Sequence, residues 1–366
     1  MARDISNALH GEPDIEQMVV CFNENSSDGD HVCRRGETVR EVIDGVEVVK
    51  CSCFTKAASQ SLSTSFGREL RKIMNEFRPD IVLFHYPNPF QALYLLRYKK
   101  RDFKLVLYWH LDITKQKILK HLFYHQNREL IRRAQYIIGA TPMHVDRSEF
   151  SPYFGNRKKV LPYMIDTGKL ELTPEEKRGA QEIREKYKDR VIGFFIGRHV
   201  PYKGLRYLIE ASRELTDSNL KILIAGEGEL TEALKKQAHG DEKIEFLGRI
   251  SDSEKRMYYE AADIICFPSV TRNEGFGLAL AEGMSFGKPA VTFTVDGSGI
   301  NYVNLADVTG LECPNADSHA YAQALRRLSE DAGLRQKMGE AAKERVEKLF
   351  TPEQFKKNVT ELVRSL

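Results

Sequence analysis

No apolar run in the 366 residues approaches the roughly 20 that span a bilayer, so no membrane-spanning helix is expected. The opening, MARDISNALHGEPD, holds no hydrophobic segment and does not read as a signal peptide. The six cysteines (Cys21, Cys33, Cys51, Cys53, Cys266 and Cys313) show no pairing rhythm and no Cys-x-x-Cys. That argues against a disulfide framework or a zinc site, and for reduced thiols in a cytosolic setting. No metal-ligand cluster stands out. Asp28-Gly29-Asp30 has the outward form of an acidic ligand pair, yet it lies in a polar stretch with no following strand and reads as a turn. Internal repeats, low-complexity segments and an aromatic-basic nucleic-acid motif are all missing.

What is present is the composition of a soluble globular protein, 42% hydrophobic and 29% charged. The length exceeds one ordinary core and suits two domains of similar size. Net charge is only +3, but it is unevenly divided: residues 1–165 carry 25 Lys and Arg against 19 Asp and Glu, and the remainder 30 against 33. The basic first half suits an anionic partner (a membrane surface, a lipid diphosphate or nucleic acid) or is simply a solvated surface.

The second half alternates cleanly. Strands are predicted at 190–196, 220–225, 244–247, 263–267 and 289–293, with helices at 204–215, 230–238, after the capping-box sequence Ser251-Asp252-Ser253-Glu254, and at 278–285. Buried strands alternating with helices imply a doubly wound parallel sheet. The first half repeats the theme less regularly, with strands at 18–22, 46–50, 81–84, 105–108 and 136–140, and helices near 65–77, 90–98 and 118–133. Residues 170–188 are polar and charged, and the interdomain crossing is placed just before them, giving domains 1–165 and 166–350. A last helix, with Thr351 as cap and Pro352 in its first turn, occupies 351–366.

The most informative stretch is NEGFGLALAEGMSFGKP, residues 273–289. It places Glu274 and Glu282 eight positions apart around Phe276, after a buried strand and across a helix start. Unpaired amides at such a start suit an anion such as a diphosphate. Two carboxylates beside an anion would repel it unless they face hydroxyl groups. A diphosphate between two hydroxylated rings is a nucleotide-sugar. Gly197-Arg198-His199-Val200-Pro201-Tyr202-Lys203-Gly204 also follows a buried strand, and its Arg and Lys, five positions apart, either grip that diphosphate or form an ordinary basic loop. Gly226-Glu227-Gly228 and Gly248-Arg249-Ile250 read as walls around a base or as plain turns. Ser269 ends its strand within reach of phosphate.

Glu274-x7-Glu282 with Gly275-Phe276-Gly277 resembles the donor-site signature of retaining GT-B glycosyltransferases of the family four (group 1) class, and the likeness runs over nearly the whole chain. It implies two facing Rossmann-like domains with a cleft between them, the last helix crossing back to the first. It further implies that Glu274 and the amides of Gly275, Phe276, Gly277 and Leu278 hold the donor sugar. Glu282 would hold the ribose, Arg198 and Lys203 the leaving diphosphate. Gly197, Gly226, Gly228, Arg249 and Ile250 would complete the donor site. A histidine after a strand is ordinarily structural, but the resemblance puts His110 of Trp109-His110-Leu111-Asp112 near the reaction centre. His85, Asn88 and Asp112 are assigned to the acceptor side. His85-Tyr86-Pro87-Asn88-Pro89 and WHLDITKQK are similar to forms in members that build bacterial surface polysaccharide.

Family members usually begin with a strand and a glycine-rich loop, whereas this sequence opens inside the following helix; roughly 20 residues of that pattern are expected to be missing. The resulting expectation is a metal-independent, retaining hexosyltransferase with no cofactor. Its donor would be GDP-mannose first and a UDP-hexose next, and its acceptor a glycan or lipid-linked glycan. It is placed in the cytoplasm, with the mixed basic and apolar segment 115–124 touching an anionic membrane or packing as a plain domain helix. Alternatives are a GT-B epimerase or phosphorylase, or a nucleotide-sugar-binding relative without turnover.

Overall fold

The computed structural model describes residues 1–23, 36–57, 60–98, 102–112, 117–216 and 218–366. Two compact units are formed: Met1–Leu161 together with Lys356–Leu366, and Pro162–Phe355. Asp28-Gly29-Asp30, Cys33 and Lys115-Gln116 lie outside the described residues.

The first unit contains β1 (Met18–Phe22), β2 (Val39–Ile43), β3 (Val46–Cys51), β4 (Thr55–Ala57), β5 (Gln60–Leu62), β6 (Ile81–Tyr86), β7 (Lys104–Trp109), β8 (Ala134–Gly139) and β9 (Lys158–Val160). Its larger sheet is β6-β7-β8-β9, parallel throughout. A second sheet, β1-β3-β2, pairs β1 with β3 in parallel and adds β2 antiparallel, while β4-β5 is a small hairpin. The parallel strands are thus divided between two sheets. Among the described residues nothing pairs with the outer edge of β1 or of β6.

Beneath β6 and β7 lies an aromatic core. The Tyr86 and Trp109 rings stack at 3.6 Å, and Phe150 and Phe154 meet the Trp109 ring edge-on at 5.6 and 5.2 Å. These rings bury large apolar areas at the C-terminal ends of both strands, where function would sit. The helix Lys117–Arg133 closes this face through Leu130 and Ile131, both buried.

In the second unit β10 (Val191–Ile196), β11 (Leu220–Ala225), β12 (Ile244–Gly248), β13 (Ile264–Phe267), β14 (Ala290–Phe293) and β15 (Gly310–Cys313) form one parallel sheet. Its order is β12-β11-β10-β13-β14-β15. Runs such as VIGFFI and LKILIA, almost wholly buried, can only be interior strands covered on both faces. The chain moves outward from β10 to β12, then returns to the other side of β10 as β13. The carboxyl ends of β10 and β13 are therefore the topological switch point, where such sheets bind ligands.

Residues 170–188, read from sequence as polar and charged with no element assigned, hold the helix Pro174–Lys186. It starts with a complete capping box between Thr173 and Glu176 and a proline at its first turn. The Glu176 carboxylate also accepts from Ser253 at 2.7 Å and binds Arg256, which anchors the helix on Asp252–Ala261. Composition hid this helix because almost all of its surface is exposed and charged. The final helix, Pro352–Arg364, ties to the start of the chain: Arg364 bonds Asp14 at 2.9 Å and Glu12 at 3.0 Å. Among the described residues no helix is long and apolar enough to cross a membrane.

Candidate active site

The loops that follow β10 and β13 meet at the switch point. Val270 N–H donates to Tyr202 C=O at 2.9 Å, joining them. Gly204 has φ +64°, and a Cβ there would stand 2.0 Å from the Pro268 carbonyl, so only glycine lets the loops approach this closely. At their junction Lys203 Nζ lies 2.5 Å from Glu274 Oε2, with side chains only 10% and 12% exposed. Ser269, fully buried, donates to the same carboxylate at 3.1 Å. The Ser298 hydroxyl donates to the Glu274 carbonyl at 2.5 Å and fixes the loop from the other side. The Lys203 ammonium also sits 4.8 Å from the centre of the Phe267 ring. Arg198 is exposed, and among the described residues its guanidinium meets the Tyr202 hydroxyl at 3.5 Å. One cation is thus pre-paired and shielded, the other held out to solvent.

Beyond Glu274 the chain turns through Gly275 and Phe276 into the helix Leu278–Ser285, capped by Gly277. Phe276 is buried against Tyr163 and Phe350, with ring centres 5.2 and 5.3 Å apart. A donor can meet it only through its backbone. Leu278 is half exposed at the helix start. On that helix Glu282 is met by Lys255 Nζ at 3.3 Å and by the buried Tyr259 hydroxyl at 3.2 Å. Both come from Asp252–Ala261, so the carboxylate is held from behind and keeps acceptor capacity for hydroxyl groups.

The glycine loops after β11 and β12 join the same end of the sheet. Gly226 N–H donates to Gly248 C=O at 2.7 Å and His199 N–H to Glu227 C=O at 3.1 Å. Arg249 pairs with Glu227 at 3.1 Å, with Ile250 half buried beside it. His199 Nδ1 lies 2.9 Å from the Thr231 hydroxyl, which accepts from Gly228 N–H at 2.9 Å, stapling the loop after β10 to the loop after β11. At Gly226 φ is +106°, and an added Cβ would stand 2.0 Å from the Gly197 carbonyl. Gly226→Ala should cost about 3 kcal/mol of stability, read as a lower urea midpoint. Gly240→Ala, at φ +83° with nothing within 4 Å, carries backbone strain alone and should cost about 1 kcal/mol. Equal losses would discount the crowding.

In the first unit, the ends of β6 and β7 carry His85 and His110. Trp109 faces the core while His110 follows it out of the strand. His85 Nδ1 and His110 Nε2 are 2.9 Å apart. Burial pushes the His85 imidazole down to about 4, and burial followed by its His85 and His144 neighbours pushes His110 down to about 3. Both are therefore neutral in the fold at neutral pH. Below the ordinary value of 6.5 the unfolded chain takes up protons that the folded chain refuses. Stability should therefore be fully present above pH 6.5 and drain away as pH falls toward 4. Denaturant midpoints across that window should fall more steeply for the native protein than for His110→Gln. Parallel slopes would refute the assignment.

Asn88 and Asp112, assigned from sequence to the acceptor side, both have hydrogen-bond partners within the fold. The Asn88 side chain caps the helix Pro89–Arg97, accepting from Gln91 N–H at 3.2 Å. Asp112 is buried, and accepts from Trp109 Nε1 at 2.9 Å, Ser148 Oγ at 2.7 Å and Glu149 N–H at 3.0 Å. Both are engaged inside the fold, holding the segments that follow β6 and β7. Ser269 donates to Glu274. The structure adds Lys255, Tyr259, His199 and Ser298, which sequence reading did not assign. Of these His199 lies inside the quoted run Gly197–Gly204, without a part of its own there.

Two family models cover this chain: that of glycosyl transferases group 1 matches residues 176–345, and that of glycosyltransferase family 4 matches 1–169. A D-rhamnosyltransferase of Pseudomonas aeruginosa, WbpZ, is 31% identical over 298 residues, 80% of this chain and 75% of that protein. The O-antigen chain mannosyltransferase C of Escherichia coli is 26% identical over 302 residues, 81% of this chain and 79% of that one. Among solved structures, HepE of Anabaena in complex with UDP superposes with a TM-score of 0.74 at 15% identity, over 96% of this chain and 100% of that chain. At that identity the likeness concerns the fold.

Proposed function

The chain belongs to the family 4, group 1 glycosyltransferases of GT-B fold, and from that premise we propose that it is a retaining hexosyltransferase of bacterial surface-polysaccharide synthesis. Its donor is a nucleoside-diphosphate sugar, GDP-mannose first and a UDP-hexose next. Its acceptor is a glycan or lipid-linked glycan, met in the cytoplasm or at the inner face of the membrane.

The observation that carries this reading is the Lys203–Glu274 pair at the switch point, with Arg198 exposed beside it and Glu282 one helix face away. As the anomeric bond breaks, negative charge grows on the diphosphate. Arg198 and Lys203 are two cations on one loop, and preorganised charge at that position lowers the barrier without metal. When donor enters, Lys203 exchanges its carboxylate for phosphate, and Glu274 turns its freed oxygen to the sugar hydroxyls. Glu282 takes the ribose, and the loops at Gly226–Gly228 and Arg249–Ile250 take the base. The acceptor hydroxyl attacks from the face the diphosphate leaves, and the departing phosphate oxygen receives its proton. The family resemblance gives His110 a catalytic part. The names of the relatives, a D-rhamnosyltransferase and an O-antigen mannosyltransferase, support the polysaccharide setting.

A panel of nucleotide-sugars, read by thermal shift and then by release of nucleoside diphosphate, tests the proposal. One donor should raise the unfolding temperature and be consumed when acceptor is present. Binding without release would point to a non-transferring relative, and no shift with any donor would sink the reading.

A further inference from the structure

Glu282 is served by one neighbouring helix, Asp252–Ala261. Lys255 and Tyr259 stand one turn apart on it and so share a face, and both side chains end at the same carboxylate. Lys255 Nζ lies 3.3 Å from Oε2 and 3.5 Å from Oε1, while the Tyr259 hydroxyl donates to Oε2 at 3.2 Å. The two oxygens are therefore unlike: Oε2 is met from two sides, and Oε1 only by the longer Lys255 contact. A carboxylate has about four lone-pair sites, so Oε1 keeps room for hydroxyl groups from outside. The Glu282 side chain is 23% exposed, so its carboxylate is held yet reachable.

Tyr259 is a rigid donor. It is fully buried, with the Phe194 ring edge-on at 5.4 Å and the Phe286 ring stacked at 5.5 Å. Its hydroxyl also donates at 2.8 Å to Ala279 C=O, on the helix that carries Glu282. Burial, and then the charge of Glu282, push the phenol well above its ordinary range, so it stays a donor. Elsewhere on its surface the Asp252–Ala261 helix is pinned to Glu176 through Ser253 and Arg256. A flexible side chain that a ligand must immobilise weakens binding roughly 2- to 12-fold. At Glu282 that ordering is done before a donor arrives. Lys255 has a second effect, offsetting a carboxylate charge that would oppose the diphosphate.

We propose that Lys255 and Tyr259 are positioning residues for nucleotide recognition: they hold Glu282 with Oε1 presented to the ribose hydroxyls, so that the site selects ribonucleotides over their deoxy counterparts. This rests on the reading that Glu282 receives the ribose. Each residue acts through the carboxylate rather than on the donor.

Calorimetry with GDP and UDP, and with their 2′,3′-dideoxy forms, separates the parts. The native protein should prefer the matching ribonucleotide roughly 10- to 150-fold, the range for a hydrogen bond to a charged group. Glu282→Ala should abolish that preference. Tyr259→Phe keeps the ring and every charge, so it reads positioning alone. It should weaken the ribonucleotide roughly 2- to 12-fold and leave the dideoxy affinity unchanged. Lys255→Met should weaken both forms through lost charge, and the ribonucleotide further; Lys255→Arg should restore most of the preference. With a sugar donor, Tyr259→Phe should raise KM and leave kcat near native.

A Tyr259→Phe loss equal for the two forms would overturn the proposal and make the tyrosine a packing residue. Ribonucleotide affinity unchanged in both Tyr259→Phe and Lys255→Met would overturn it as well. If Glu282→Ala keeps the native preference, the ribose reading itself fails and the proposal falls with it.

Discussion

Lys203→Ala is expected to lower kcat by about 10²- to 10³-fold, the cost of removing one preorganised charge from a site where charge develops. It should also destabilise the protein, because Lys203 does two things. In the unliganded protein it neutralises Glu274 in a pair that is about nine-tenths shielded from water. Removing one partner leaves the other charge buried and uncompensated, at a cost of about 3 kcal/mol. Glu274→Ala should cost a similar amount, and the double variant clearly less than both together. Arg198→Ala is the contrast. Arg198 is exposed and, among the described residues, gives up a 3.5 Å contact with Tyr202, so its removal should slow turnover and leave the unfolding midpoint where it was. Urea midpoints and kcat for the four variants separate the roles. A Lys203→Ala protein that is stable and fast would remove the pair from both.

Glu282→Ala should act on binding. A hydrogen bond to a charged group contributes about 1.5–3 kcal/mol, so losing the ribose contact should weaken the donor roughly 10- to 150-fold. At saturating donor kcat should be nearly native, since the ribose is remote from the bond that breaks. The local fold should survive, because Lys255 keeps Asp252 as a partner at 3.4 Å and the Tyr259 hydroxyl still donates to Ala279 C=O at 2.8 Å. Donor affinity by calorimetry is the measurement. Unaltered affinity would end the ribose assignment.

How much of this was legible beforehand depends on which physical signal each part carries. The interior strands were, because runs such as LKILIA are buried along almost their whole length and can be little else. The short strand Gly310–Cys313 and the helices Ser318–Glu330 and Ala332–Leu349 were not assigned, although Asp317 and Asp331 each cap a helix start. The helix Pro174–Lys186 was not assigned either, despite a capping box of the kind recognised at Ser251. Charge outweighed the terminal signal. At the site, residue types and loops were readable and partners were not. Lys203 and Glu274 are 71 positions apart, and only the order of β10 beside β13 brings them together. His85 and His110 meet because of strand register, which no local pattern announces. Asn88 was readable in principle, since Asn-Pro before an apolar run is a helix cap with proline at the first position.

The outer edges of β1 and β6, unpaired among the described residues, have a consequence for how this protein behaves as a substance. Both strands are mostly apolar, MVVCF and IVLFHY, and β1 is partly exposed along its whole length. Neither carries the lysine, proline or bulge with which sheet margins usually discourage company. Such a margin is a template for any extended chain that offers matching amides and carbonyls. In concentrated solution the protein should therefore drift toward strand-paired aggregates, slowly and more so on warming. Its shelf life would then be set by two short backbone ribbons rather than by the depth of its cores.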